Sequence, residues 1–268
     1  MVQCYPLYTR TESDVSPTMT WALAAIYAHR AYDNQSLLNL STQVWEQQNK
    51  FVVPSQFIQR SQVPGTNVSL AENLRQCDYC RSRDESELFV KSHMFNGTVV
   101  IDRVDMHSCD KVAHEAVTYD SGLFIEGLSV YSNQSDQTNA MWAPFLDQVV
   151  QEAVVFSGWT GPDGINFEYE RGNRQSGAQI GLRSVFIRGL FEAWSRMDQT
   201  SSTARLVESY VIVQYNALLD FASNRSNLYS PLWHGPPATA LTPQGQLAAL
   251  DTLNSAAGLG APILLSSR

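Results

Sequence analysis

Apolar residues recur every three or four positions over most of this chain, and that spacing predicts helices. In "SPTMTWALAAIYAHRAY", Ser16 stands as a candidate N-cap and Pro17 at the first helical position, with Trp21, Leu23, Ala24, Ala25 and Ile26 beyond. A second helix is predicted from about Ser36, where Leu37, Leu40, Val44 and Trp45 keep helical spacing, so residues 1–52 read as a helical hairpin. Residues 53–113 read as a long loop: Pro, Ser, Gly and Asn are dense over 53–81, "DESELFVKSHMF" suits a short helix, and "TVVIDRV" at 98–104 is a strand-like run. Further helical hairpins are predicted over 114–268, with helices at about 118–132, 138–156, 177–197, 202–222 and 243–257. The last opens with Thr242 as cap and Pro243 behind it. The expectation is one all-α domain spanning 1–268, with about eight helices.

Two of these helices nearly repeat each other, "GLFIEGLSVYS" at 122–132 and "SVFIRGLFEAWS" at 184–195, with starts 62 residues apart. Each opens a helix that a second helix of similar length follows, so the repeating unit is a helical hairpin. Stacked hairpins build an open solenoid or a closed α/α toroid. Gly127 and Gly189 fall inside these helices, where glycine costs up to about 1 kcal/mol relative to alanine, and close helix–helix approach is the expected compensation.

Composition narrows the function classes. A chain of 268 residues with 44% hydrophobic content can bury a large core. Net charge is −8 and the pI near 5.1, with no basic stripe, which argues against nucleic-acid partners. No apolar run reaches the roughly 18 residues that would span a bilayer. Charged residues are 16%, below the roughly 25% usual for soluble domains. The chain carries six Asn-x-Ser/Thr sequons, at Asn34, Asn39, Asn67, Asn96, Asn133 and Asn224, among fourteen asparagines. This balance points to a secreted glycoprotein, although "MVQCYPLYTRTESDV" has neither the basic nor the apolar region of a signal peptide.

The cysteines are Cys4, Cys77, Cys80 and Cys109. No second C-x-x-C or His pair follows Cys77 and Cys80, so a disulfide from one of them to Cys109 is preferred over a zinc site. "HEAVT" at 114–118 lacks the second histidine of a zincin, and the nucleophile-elbow, P-loop and dinucleotide motifs are absent. No metal or cofactor is expected. The remaining candidates are aromatic and carboxylate residues near helix starts: Tyr119 and Asp120 in "TYDSG", Glu168 and Glu170 in "NFEYERG", Trp233 and His234 in "PLWHGPP". Rings that stack on sugar C–H faces, beside acids that bond hydroxyls, suit a carbohydrate site; the alternative for each is helix packing. Arg183 and Arg188 either bind a ligand oxygen or pair with Glu192.

Four blocks, "AVTYDSGLFIEGL", "QIGLRSVFIRGLFEAWS", "YSPLWHGPP" and "LAALDTLNSA", resemble in order the "TYNxG", "FKGIFxR", "W.GP" and alanine-rich terminal helix of glycoside hydrolase family 76. The resemblance is closest to its secreted basidiomycete branch, covers nearly the whole chain and is strongest over 114–258. It implies an (α/α)₆-type toroid with the two repeats as inner helices, and a polysaccharide partner of the α-1,6-mannan type. It also implies substrate contacts at Trp21, Tyr119, Glu168, Arg183 and Trp233. The family's two adjacent catalytic aspartates have no counterpart: Ser16 and Pro17 stand there, Asp14 is the nearest carboxylate, and no Asp-Asp pair occurs in the chain. Asp120 replaces the usual Asn of "TYNxG", and Arg183 with Ser184 replaces the Lys-Gly of "FKG". Catalysis would then fall to Asp14 with Asp120 or a Glu of the 168–170 pair. Eight helices are fewer than the twelve of a closed ring, which implies a truncated product and self-association through uncovered helix faces. Three readings follow: a mannanase, a non-catalytic glycan-binding protein, or a truncated inactive member.

Overall fold

The computed structural model describes residues 15–48, 86–101, 116–168 and 179–261. The chain divides into two compact units, one of residues 1–94 with 104–111 and one of residues 95–103 with 112–268. In the first, helices α1 (Val15–Tyr32) and α2 (Gln35–Gln48) form the predicted hairpin. Asp33 turns the chain with φ 49°, and the Asn34 carboxamide oxygen accepts the Ser36 N–H at 3.0 Å to cap α2. Helix α1 starts at Val15, so Ser16 and Pro17 lie within its first turn and Ser16 is not its cap. The short helix expected in "DESELFVKSHMF" is present as helical turns over 86–94.

The second unit contains α3 (Thr118–Ser132), α4 (Asp136–Val155), α5 (Arg183–Arg196), α6 (Ser202–Ala217) and α7 (Pro243–Gly258). Short turns of other helical type precede α5 at Gln179–Leu182 and extend α6 at Leu218–Ala222. The elements among the described residues are all helical, as the periodicity predicts. Among the described residues, β-structure amounts to isolated bridges at Phe95–Val100, Thr160–Asn166 and Ser223–Tyr229. The strand-like run at 98–104 is therefore corrected as far as Ile101. Its residues Val99, Val100 and Ile101 are apolar because they are buried, not because they pair in a sheet.

Helices α3, α5 and α7 lie side by side, α3 against α5 and α5 against α7, while α4 and α6 return between them. Between α5 and α7, Ser184 meets Leu247 and Arg188 meets Asp251, both 63 positions apart, and between α3 and α5, Gly122 faces Phe186 and Glu126 bonds Arg188, 64 and 62 apart. A near-constant offset means that the helices run parallel, one hairpin per period. Their N-termini thus share one end of the unit.

The α3–α5 contact is the tightest. A Cβ on Gly122 would stand 2.6 Å from the Phe186 Cα, and one on Gly189 would collide with the Gly122 carbonyl. Gly189 therefore plays the role its sequence position suggests. Its partner is Gly122 and not Gly127, which is exposed. The varying position of the repeat is also explained: Arg188 donates to Glu126 through Nε at 3.1 Å and Nη2 at 3.0 Å, and approaches Asp251 of α7 at 3.6 Å. Glu192 pairs with Arg196 in its own helix. Aromatic rings fill the layers between helices. Phe124, Phe145, Trp142 and Tyr131 pack α3 on α4, while Trp159, Phe186 and Tyr210 continue toward α6.

Gly122→Ala forces a methyl group into the Phe186 backbone, which cannot rotate away, and should cost about 3 kcal/mol in urea unfolding. Gly127 is exposed within the same helix, so Gly127→Ala should be neutral or stabilising by up to about 1 kcal/mol. Equal effects of the two substitutions would refute the assignment of Gly122 as the contact residue.

Candidate glycan site

The shared N-terminal end of α3, α5 and α7 collects most of the candidate residues of the second unit. The segment from α4 to α5 doubles back at Gly164, whose φ of 79° suits glycine, and the Phe167 N–H donates to the Trp159 carbonyl at 2.8 Å. This delivers Asn166 and Glu168 to the start of α3. Residue Val117 at that helix start has no side-chain acceptor to offer, and Glu168 supplies one from 50 residues away. Its Oε1 accepts the Thr118 N–H at 2.8 Å and its Oε2 accepts the Thr118 hydroxyl. A carboxylate at this position also meets the positive end of the helix dipole. Tyr119 and Asp120 follow in the same turn, both half-buried.

Beneath that turn is a buried polar chain. The Asn166 N–H donates to Gln214 Oε1 at 2.8 Å, Gln214 Nε2 donates to the Gly164 carbonyl at 2.7 Å, and Asn166 Oδ1 accepts the Glu168 N–H at 2.9 Å. Arg183 opens α5, is fully buried, and donates to the Asn166 carbonyl at 3.1 Å. Its guanidinium lies 5.0 Å from the centre of the Trp233 ring, which is also fully buried. Arg183 and Trp233 thus support the loop that carries Asn166 and Glu168. At the surface the same loop is tied to the Trp233 loop by His234 Nε2 and Asp163 Oδ2, 3.0 Å apart.

The electrostatics follow from burial. Desolvation raises the Glu168 pKa above the usual carboxylate range, more than the two Thr118 bonds and the Arg183 charge lower it. Burial drives the Tyr210 hydroxyl up to about 12, against hydrogen bonds from Thr160 and Asn166. Asp251, in the Glu126–Arg188 cluster, is raised by burial, with Arg188 and Ser184 opposing and Glu126 reinforcing. Asp163 behaves oppositely: slight burial raises it, but the Ile165 N–H and His234 together hold it below its ordinary value.

Of the residues singled out by sequence, Tyr119, Asp120, Glu168, Arg183 and Trp233 therefore meet at one end of the second unit. Trp21 belongs to the first unit, on α1, with 75% of its surface exposed. Asp14, Glu170, Cys4, Cys77, Cys80, Cys109 and Asn67 lie outside the described residues. Gln214 and Tyr210 carry no motif, and sequence reading misses them, as it misses the bonds of Asn166. Thr118 opens the "TYDSG" stretch, but nothing in the sequence marks its bonds to Glu168. No group of three or more His, Cys, Asp or Glu suited to a metal occurs among the described residues, and no described helix is long and apolar enough to cross a membrane.

A carboxyl whose native pKa is raised stabilises the fold fully below its unfolded value, near 4.5 for Glu168. That contribution is lost as pH rises through the higher native value. The unfolding free energy of the wild type minus that of Glu168→Gln should therefore decline as pH rises from about 4.5 through the raised native value. A difference that stays flat or rises over that window contradicts the buried carboxylate at α3.

No protein-family model and no curated protein matches the sequence. Solved structures do match. The GH76A alpha-1,6-mannanase from Salegentibacter sp. HEL1_6 superposes with a TM-score of 0.71 at 13% identity, over 93% of this chain and 77% of the enzyme. An inactive variant of that enzyme with two neighbouring aspartates replaced by alanine, in complex with alpha-1,6-mannotetrose, matches with the same values. The corresponding asparagine variant, in complex with alpha-1,6-mannotriose, matches at 12% identity with a TM-score of 0.71 over the same shares. The chain thus has the all-helical fold of the family 76 α-1,6-mannanases.

Proposed function

We propose that this protein recognises α-1,6-mannan-type oligosaccharides outside the cell without hydrolysing them, at the N-terminal end of α3 and α5. One observation carries the reading: the chain has the mannanase fold but contains no adjacent aspartate pair. In the Salegentibacter enzyme, variants without two neighbouring aspartates are inactive and still hold the mannotetrose or mannotriose. Retaining glycosidases need two carboxyls about 5 Å apart, one to attack and one to protonate. Both Glu168 oxygens already accept from Thr118, so Glu168 acts as a strut, with Arg183 and Trp233 beneath it. Half-buried Tyr119 and Asp120 then supply a stacking ring and a hydroxyl acceptor for the sugar. The six sequons support the extracellular setting.

Hydrolysis through a carboxylate pair that includes Asp120 is the second reading, favoured by the fold itself. One experiment separates the two. The secreted, monodisperse protein is titrated calorimetrically with alpha-1,6-mannotetraose and incubated with unbranched α-1,6-mannan. Binding with no released oligosaccharide is expected, with Tyr119→Ala weakening affinity by about tenfold, the loss of one stacked ring. Oligosaccharide release that Asp120→Ala abolishes establishes the enzyme instead. Absence of both binding and release in the folded protein defeats the mannan reading. The self-association expected from sequence is read in the same preparation, since α7 exposes Leu247 and Leu250.

A further inference from the structure

The sequons are unequal in the folded chain. Asn34 lies exposed in the turn between α1 and α2, with its carboxamide oxygen held by the Ser36 N–H and Ser36 itself exposed. Asn96 is exposed at the tip of the Phe95–Val100 turn, where its Oδ1 accepts the N–H groups of Thr98 and Val99, both at 2.9 Å. Asn133 is the exposed C-cap of α3, and Ser135, the N-cap of α4, is exposed beside it. At Asn34 and Asn96 the oxygen is turned toward the backbone, which leaves Nδ2, the atom that takes a glycan, facing outward.

Asn39 differs. It sits inside α2, with its Oδ1 accepting from Gln35 at 3.1 Å. Its Ser41 is buried to 4% exposure, and the Ser41 hydroxyl donates to the Leu38 carbonyl at 2.7 Å. Residues two apart on a helix face different ways, so the Asn39 amide and the Ser41 hydroxyl are not presented together. Asn224 shares the Oδ1 geometry of Asn34 and Asn96, accepting from Ser226 at 2.9 Å and Leu228 at 3.2 Å, but differs from them in being half-buried, in the loop that carries Trp233.

We propose that Asn34, Asn96 and Asn133 carry N-linked glycans and that Asn39 and Asn224 do not. The inference rests on the extracellular reading above but not on mannan recognition. In the step, Nδ2 attacks the anomeric carbon of an oligosaccharide carried on a lipid pyrophosphate. A C–N bond forms, the bond to the pyrophosphate oxygen breaks, the lipid pyrophosphate leaves, and the amide proton passes to a base of the transferase. These glycans supply hydration that the low charge content, 16%, does not.

The test is to secrete the full chain from a eukaryotic host behind an added signal peptide, remove N-glycans enzymatically in heavy-oxygen water, and map the peptides by mass. Asn34, Asn96 and Asn133 should return as heavy-oxygen Asp, with Asn39 and Asn224 unchanged. Thr98→Val, which leaves the Asn96 turn intact, should erase the label at Asn96 alone. An unlabelled residue among the three, or label at Asn39 or Asn224 equal to theirs, overturns the assignment. Mannotetraose binding by the deglycosylated protein is scored separately, so loss of one claim does not decide the other.

Discussion

The backbone contact between α3 and α5 fixes most of the second unit. With Gly122 facing the Phe186 Cα and Gly189 facing the Gly122 carbonyl, no side chain separates the two helices, and their register has little freedom. Arg188 and Glu126 lock that register a turn further on, in a contact where Glu126 is almost fully buried. Removing one member of such a pair strands a buried charge, so the pair specifies alignment more than it adds net stability. The two variable positions of the FI-E/R-GL repeat are thus complementary charges, one hairpin answering the next.

Parallel α3 and α5 put both N-termini at one end, and the α4–α5 segment has to pass there. That passage lets Glu168 cap α3 and Arg183 hold the Asn166 carbonyl. Burial of Glu168 raises its pKa despite the Thr118 bonds and the nearby guanidinium, which marks it as a group held by the fold. Glu168 is thereby a strut of the fold, and in the proposed reading the ligand contacts fall to half-buried Tyr119 and Asp120 beside it.

Sequence disclosed the helices better than the contacts. Helix α7 begins where Thr242 and Pro243 foretell, with the Thr242 hydroxyl accepting the Gly245 N–H, because capping is local chemistry. The hairpin period was legible as well, since the repeated words mark equivalent helices. Gly189 was legible as a contact residue, but its partner Gly122 was not, because spacing within one helix does not say which face meets a neighbour. The pairing of Arg188 was hidden for a similar reason: the i, i+4 rule sees Glu192 but not Glu126 on another helix. Asn166 and Gln214 left no mark at all, since a buried amide that completes backbone hydrogen bonds needs no motif.

The central claim is that the end of the second unit formed by the starts of α3 and α5 holds a mannan-type ligand. Hydrogen exchange with and without alpha-1,6-mannotetraose tests it most directly. The account predicts slowed exchange of amides in the first turn of α3, around Thr118 to Gly122, and in the loop from Trp159 to Glu168. Slowing confined to other segments, or none at saturating ligand, contradicts it.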